Sequence, residues 1–153
     1  MALKEGEPAP EFELDGNDGK KHSLSEFKGR YLVLYFYPKD NTPGCSIEAD
    51  NFNKRLDEIR ALNAEVVGVS KDDLKSHDKF KEKYNLRFLL LSDPESKVIK
   101  AYGAYGNRGA FGFGTLRKTF IIDPNGNIAK IYNKVQPIKH AQEVIDFLKS
   151  VNR

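Results

Sequence analysis

The most reactive side chain that this sequence offers is its single cysteine. Cys45 is the one cysteine among 153 residues, and it follows the proline- and glycine-containing segment PKDNTPG. Behind it, apolar side chains recur at helical spacing, at Ala49, Phe52, Leu56 and Ile59. The pattern predicts that Cys45 lies in the first turn of an amphipathic helix, where unpaired N–H groups and the helix dipole favour a negative charge. Because the thiolate is the reactive form of cysteine, Cys45 is a candidate nucleophile. A small buried apolar residue is its alternative role.

An apolar stretch directly upstream predicts how Cys45 is held in place. Residues 31–37 read YLVLYFY, an uninterrupted apolar and aromatic run that is typical of a buried strand and too short to cross a membrane. Pro38 and Pro43 then interrupt the chain before the predicted helix. We therefore expect a central strand to deliver the thiol to one edge of a sheet.

Composition limits the classes of protein that this chain could represent. A length of 153 residues fits one domain, 1–153, and 39% hydrophobic with 31% charged residues indicates a soluble globular protein. The net charge is +3, but basic and acidic residues are interleaved, so we expect no nucleic-acid binding. No apolar run is long enough to span a membrane and the N-terminus lacks a signal-peptide core, so we expect a cytoplasmic protein without membrane contact.

The remaining segments predict an α/β fold. We expect an N-terminal β-hairpin (11–23), buried strands (31–37, 65–69 and 88–91), an antiparallel hairpin (118–123 and 128–132) and helices (from 45, from 72 or 73 to 84, 95–102 and 138–151). A helix between successive buried strands indicates parallel crossovers. The order predicts a thioredoxin-like sandwich, in which helices flank a central mixed β-sheet. The glycine-rich segment 102–114 is predicted to be a loop.

Residues around the cysteine resemble a known active-site motif. Pro38, Thr42 and Cys45 stand in the order P-x-x-x-T-x-x-C, which resembles the motif of the peroxiredoxins. The later blocks GVSKDDLKSHDKFKEKYNLRFLLLSDPESKV and RKTFIIDPNGNI are similar to the peroxiredoxin Q, or bacterioferritin comigratory protein, branch. The resemblance extends from GEPAPEFEL to the last helix. It implies a thiol-dependent peroxidase that reduces hydrogen peroxide and organic hydroperoxides, without a cofactor or a metal.

The resemblance also implies roles for individual side chains. The Cys45 thiolate would attack a peroxide oxygen and become a sulfenic acid. Arg117, in LRKTF, matches the arginine that completes the family's pocket, and its permanently charged guanidinium suits both sulfur and peroxide oxygen. Thr42 would donate a hydrogen bond to one peroxide oxygen and accept one from its proton. Without the resemblance, Arg117 would be read as a surface charge and Thr42 as an ordinary loop residue.

Three further residues are expected to support this site. Pro38 has no N–H group and would form a dry wall, although it could simply end the strand. Gly44 would let the backbone approach the peroxide oxygens closely. Glu48 matches the family's glutamate that holds the arginine, although a helix-capping acid is nearly as good an interpretation.

The chain departs from its branch at the second cysteine. Many members carry a resolving cysteine five residues after the first, where this chain has Asp50, and the alternative position in residues 77–84 also holds none. We expect a one-cysteine cycle in which an external thiol, a thioredoxin-like protein or a small thiol, reduces the sulfenic acid. Cys45 of a second copy is the alternative partner, and both monomer and dimer remain open. A redox-responsive binding or chaperone-like module without sustained turnover is the alternative function.

Other interpretations fit the sequence less well. A disulfide oxidoreductase needs C-x-x-C and position 48 is Glu48, while a glutathione peroxidase would be expected to supply a tryptophan and the chain has none. His22, His77 and His140 are interpreted as surface or core-edge residues. In the glycine-rich segment, Arg108 is expected at the surface, and Phe111 and Phe113 are expected to form apolar walls over the active site unless the loop has no role.

Overall fold

A mixed sheet of seven strands forms the centre of the fold. The structure is a computed structural model that describes residues 3–152. The strands are β1 (Glu13–Gly16), β2 (Lys21–Ser23), β3 (Tyr31–Phe36), β4 (Ala64–Ser70), β5 (Leu89–Ser92), β6 (Tyr105–Asn107), β7 (Phe113–Thr115), β8 (Lys118–Ile122) and β9 (Ile128–Tyr132). The helices are α1 (Pro43–Lys54), α2 (Leu56–Ala61), α3 (Leu74–Tyr84), α4 (Lys97–Ala101) and α5 (His140–Val151), with 3-10 turns at Leu24–Phe27 and Gly109–Phe111.

The strand order is β2-β1-β5-β4-β3-β8-β9, which places β3 inside the sheet. Strands β3, β4 and β5 pair in parallel through helical crossovers, whereas β1, β8 and β9 pair antiparallel to their neighbours. The predicted N-terminal hairpin is the pair β1–β2. The predicted α/β sandwich with a mixed sheet is therefore confirmed.

Strand β3 is apolar on both faces because both faces are covered. Val33 and Tyr35 belong to the core under α1, α2, α3 and α5, while Leu32, Leu34 and Phe36 belong to the core under α4 and the first 3-10 turn. Each of these side chains is at most 1% exposed. Successive residues of a strand point to opposite faces, so an unbroken apolar run is what a covered strand requires.

The helix that carries the cysteine is shorter than its apolar stripe predicts. The stripe continues to Ile59, but α1 ends at Lys54 and α2 begins at Leu56. Arg55 between them has φ −102° and ψ 8°, outside the helical region. Because α2 resumes after one residue, the apolar side chains of both helices still face the same core.

The prediction of a loop across residues 102–114 is wrong. Strands β6 and β7 pair there as an antiparallel ribbon outside the main sheet. Gly109 and Gly112 make the connection with φ values of 67° and 74°, a region that glycine enters without a steric penalty. Backbone pairing holds the ribbon, so the segment needs none of the alternating apolar pattern by which strands are recognised. None of the helices in residues 3–152 combines the length and the apolar character needed to cross a membrane.

Candidate active site

Cys45 is the third residue of α1 and is 1% exposed. The first backbone hydrogen bond of the helix runs from the Ser46 N–H to the Thr42 carbonyl, at 2.8 Å. Within the described residues, the N–H groups of Gly44 and Cys45 donate to no carbonyl or side chain. The first turn therefore presents free donors beside the sulfur, and such donors stabilise a negative charge.

Arg117 reaches the sulfur from the position just before strand β8. Its Nη2 donates to Cys45 Sγ at 3.4 Å, although the two residues are 72 positions apart in the sequence. The approach follows from strand pairing, since Lys118, the next residue, is the register partner of Phe36 at the end of β3. Burial opposes the charge of Arg117, but nearby Cys45 and Glu48 outweigh burial and raise the pKa of the guanidinium.

Glu48 lies one turn after the cysteine and anchors the arginine. Arg117 Nη1 donates to Glu48 Oε1 at 2.8 Å, and Glu48 is 1% exposed. Burial raises the pKa of Glu48 to about 7, and Arg117 opposes that rise. The second oxygen, Oε2, is buried without a hydrogen-bond partner among the described residues. The site thus holds a carboxyl group that is satisfied on one side only.

Gly44 leaves space for the arginine, a role that the sequence did not predict. A Cβ atom at this position would lie 2.9 Å from Arg117 Nη2 and 3.7 Å from Pro137 Cγ. The missing side chain therefore makes room for the guanidinium beside the sulfur. Close approach of the backbone to a peroxide stays a prediction.

Thr42 and Pro38 line the segment that leads from β3 into α1. The Thr42 hydroxyl donates to the Lys39 carbonyl at 2.8 Å, so its proton is already engaged. In this arrangement the Thr42 oxygen can accept a hydrogen bond from a peroxide, but it cannot donate one as the sequence led us to expect. Pro38 is half-buried at the start of the same segment.

The aromatic end of β3 lies close to these charges. Tyr35 is 1% exposed, and its hydroxyl has no hydrogen-bond partner among the described residues. Burial raises the pKa of Tyr35 well above its ordinary value, and the nearby Glu48 and Cys45 raise it further. Tyr35 therefore forms a neutral wall of the site. The apolar run of residues 31–37 could not reveal this position.

Two of the three histidines lie deeper than predicted. His77 and His140 are 0% exposed, whereas the sequence was interpreted as placing them at the surface or the core edge. His140 Nε2 is 2.7 Å from Thr119 Oγ1, and His77 contacts Asp40 and the Leu91 carbonyl. Apart from Glu143, which lies 3.3 Å from His140 Nδ1, their polar partners are 14 or more positions away in the sequence, which is why no local pattern marked them.

Several other expectations concern residues outside the pocket. Asp50, at the position of the missing resolving cysteine, pairs with Lys54 at 2.9 Å. Phe111 and Phe113 are 80% and 71% exposed and so form no wall of a closed site, and Arg108 stacks on Phe111 at 5.2 Å. Across residues 3–152, no group of three or more His, Cys, Asp and Glu side chains converges as a metal site would require.

Comparisons with known proteins find relatives along nearly the whole chain. A model of the AhpC/TSA family matches residues 6–131. Peroxiredoxin Bcp of Bacillus subtilis is 43% identical over 155 aligned residues, covering 99% of each protein. A cysteine-to-serine mutant of Xylella fastidiosa PrxQ superposes with a TM-score of 0.95 at 35% identity, covering 100% of this chain and 99% of the other.

A further solved structure adds information on a substrate. The bacterioferritin comigratory protein of Xanthomonas campestris superposes with a TM-score of 0.88 at 34% identity, covering 93% of this chain and 92% of the other. That protein was studied for its alkyl peroxide reduction activity in trapped intermediate and ligand complexes.

Proposed function

The chain belongs to the AhpC/TSA family, in its peroxiredoxin Q and Bcp branch, and on this basis we propose that Cys45 is the thiol that reduces the peroxide. As a peroxiredoxin, the protein is a thiol-dependent peroxidase. The single observation that carries the assignment is the Arg117 guanidinium, 3.4 Å from the only thiol of the sequence. A buried structural cysteine needs no such cation, whereas a thiolate nucleophile does.

The geometry supports a direct displacement at the peroxide. The Cys45 thiolate attacks the terminal oxygen, so that an S–O bond forms while the O–O bond breaks. The sulfur loses two electrons and becomes a sulfenic acid, and the leaving hydroxide or alkoxide takes up a proton to give water or an alcohol. Arg117 and the free N–H groups of Gly44 and Cys45 stabilise the charge that moves between the oxygens. The Thr42 oxygen orients the peroxide by accepting its O–H.

The second half of the cycle requires an external thiol. One thiol displaces water from the sulfenic acid and leaves a mixed disulfide, and a second thiol then releases the Cys45 thiolate. Because Cys45 is 1% exposed, the first turn of α1 must open before a protein thiol can reach the sulfur. A thioredoxin-like protein or a small thiol is the donor that we propose. For the same reason a Cys45–Cys45 disulfide between two closed copies is disfavoured.

The substrates proposed are hydrogen peroxide and alkyl hydroperoxides. The alkyl peroxide activity studied in the Xanthomonas campestris relative supports the second class. We further propose that residues 1–153 act as one domain in the cytoplasm, as a monomer or a dimer. A reducing compartment suits a catalytic thiol that must be returned to its reduced form in every cycle.

Peroxide consumption with a thiol donor tests the proposal. Purified protein should consume hydrogen peroxide in the presence of dithiothreitol over many turnovers, and a sulfenic-selective probe should label Cys45. The Cys45→Ser variant should do neither. One turnover followed by arrest would favour the redox-responsive module instead, and an unlabelled, inactive wild type would refute the assignment of Cys45.

A further inference from the structure

A buried hydrogen-bond network joins the segment before α1 to helix α3. The Asp40 carboxylate, on a residue that is 6% exposed, accepts from the Tyr37 hydroxyl at 2.6 Å and from Ser76 Oγ at 2.8 Å. His77 Nδ1 lies 2.6 Å from the same carboxylate. The Asp40 backbone N–H donates to Asp72 Oδ2 at 2.8 Å. Asp40 is thereby held from its side chain and from its backbone.

Geometry places a hydrogen on Nε2 of His77. Its Nε2 lies 2.9 Å from the Leu91 carbonyl, which only accepts, so Nε2 carries a hydrogen. Nδ1 faces the Asp40 carboxylate, which also accepts when it is ionised. Burial lowers the pKa of His77, but Asp40 and the Leu91 carbonyl outweigh burial and the net change is a rise. The His77 ring and the Asp40 side chain therefore form a close contact that is buried on both sides.

The segment that this pair holds carries part of the site. Asp40 lies between Pro38 and Thr42, and the next residue, Asn41, has φ 60°, a left-handed conformation that asparagine adopts more readily than most residues. Helix α3 makes a second contact with this segment, since Lys83 Nζ donates to Asn41 Oδ1 at 3.0 Å. Helix α3 thus contacts the segment at both Asp40 and Asn41.

We propose that His77 is a positioning residue for the peroxidase reaction and acts through Asp40. The His77–Asp40 contact holds residues 38–42 so that Thr42 and the first turn of α1 stay closed around Cys45 while the peroxide reacts. This inference rests on the proposed role of Cys45. Peroxide attack needs the closed arrangement, whereas an external thiol needs the 1% exposed sulfur to be uncovered. Breaking the pair should therefore slow the first half-reaction without slowing the second.

Single-turnover measurements on two variants and their combination test the proposal. His77→Leu and Asp40→Asn should each slow sulfenic acid formation at Cys45 by about tenfold to a hundredfold, as expected for a displaced reacting group. Reduction of the preformed sulfenic acid by dithiothreitol should be as fast as in wild type or faster. Because the residues act through one pair, the double variant should be no slower than the slower single variant.

A matched control separates positioning from loss of stability. Ile99→Ala removes a fully buried side chain from α4, in the other core cluster. We expect it to lower the melting temperature and to leave both half-reaction rates near those of wild type. Equal slowing of both steps in the His77 and Asp40 variants, no change in either step, or additive effects in the double variant would each overturn the proposal.

Hydrogen exchange gives a readout that does not depend on peroxidase activity. In His77→Leu and in Asp40→Asn, the amides of residues 38–44 should exchange faster than in wild type, while those of β8 should not. If wild-type Cys45 forms no sulfenic acid, the proposed function fails and the exchange data alone decide whether the pair holds the segment. Unchanged exchange in both variants would refute that hold.

Discussion

Arg117 divides its guanidinium between two neighbours. Nη2 donates to the sulfur of Cys45 and Nη1 donates to Glu48, so the carboxylate fixes the orientation that the thiolate uses. A lysine could not make both contacts, because its ammonium is a point charge without a planar fork. Arginine at this position therefore supplies a positive charge and also two hydrogen bonds of fixed orientation.

Replacement of Arg117 by alanine should slow peroxide reduction by about a hundredfold to a thousandfold, the loss found when a transition-state donor is removed. Arg117→Lys should recover part of the rate, because it restores charge without the fork. Arg108→Ala is the control, since Arg108 stacks on Phe111 in the ribbon, and it should react like wild type. The measurement is the second-order rate of Cys45 oxidation, and an unchanged rate in Arg117→Ala would remove this residue from the site.

Glu48 should make the stability of the fold depend on pH. Its pKa rises from an ordinary 4.5 to about 7 in the fold, so its stabilising contribution is complete below 4.5 and is lost as the pH rises through 7. The wild type should lose stability relative to Glu48→Gln between these values, by on the order of 3 kcal/mol. Urea unfolding of both proteins across about pH 5 to 8 measures the difference. If the wild type instead gains stability relative to Glu48→Gln as the pH rises, the effect of Arg117 on the pKa of Glu48 outweighs the effect of burial.

At the residue scale, the proposed reacting groups carry a clearer signal in the sequence than the residues that we propose support them. Cys45 and Thr42 stand in a contiguous motif, and Arg117 stands in a recognisable later block. The Asp40–His77 pair has no such signal, because its meaning depends on a contact across 37 residues. The space that Gly44 leaves for Arg117 likewise becomes visible only when the two strands are paired.

Among the secondary-structure elements, α3 supports the site from a distance. Asp73 caps its N-terminus, with a side chain that accepts from the Ser76 N–H at 2.8 Å, and Asn85 caps its C-terminus in a left-handed conformation. Both ends follow ordinary capping chemistry. The capping interactions of α3 thus do not depend on its contacts with residues 38–42.

Removal of the α3 cap should destabilise the whole protein. Asp73→Ala should cost about 1 kcal/mol, because the Ser76 N–H would lose its acceptor. Asp78→Ala on the exposed face of the same helix is the control and should change stability little. Urea denaturation of both variants measures the effect, and equal stabilities would show that the cap contributes nothing.

Secondary-structure elements with a clear apolar pattern could be predicted from the sequence, and elements without such a pattern could not. Strand β3 is covered on both faces and α5 carries an apolar stripe, so both are visible in the sequence. The ribbon β6–β7 contains glycines and exposed aromatic residues, and only its backbone pairing defines it. The break at Arg55 has no proline or glycine to mark it, since the apolar stripe continues across it.

On the scale of the whole molecule, the defining feature is that the proposed site has no second thiol in the same chain. Asp50 occupies the expected position on α1 and pairs with Lys54. Five residues of α-helix rise about 7.5 Å, which exceeds the Cα separation of about 7 Å that a disulfide tolerates. Any bridge between positions 45 and 50 would require α1 to unwind.

Asp50→Cys should therefore form an intramolecular disulfide with Cys45 only as α1 opens. After one equivalent of peroxide, intact-mass analysis should show the disulfide, and the amides of α1 should exchange faster than in the reduced protein. Asp146→Cys, an exposed position on α5, is the control and should form no internal bridge. A disulfide that leaves exchange in α1 unchanged would contradict the helical geometry.

The burial of Cys45 and the absence of a second cysteine determine how the enzyme is inactivated by excess peroxide. Because Cys45 is 1% exposed, a small oxidant reaches its sulfenic acid more readily than a bulky thiol donor does. A second peroxide molecule converts it to a sulfinic acid, which ordinary thiols do not reverse. Nothing within the chain competes with that step, because the sequence has no other cysteine. The number of turnovers before inactivation therefore depends on the ratio of peroxide to thiol donor. Cys45 is inactivated when peroxide arrives faster than the donor can reduce the sulfenic acid.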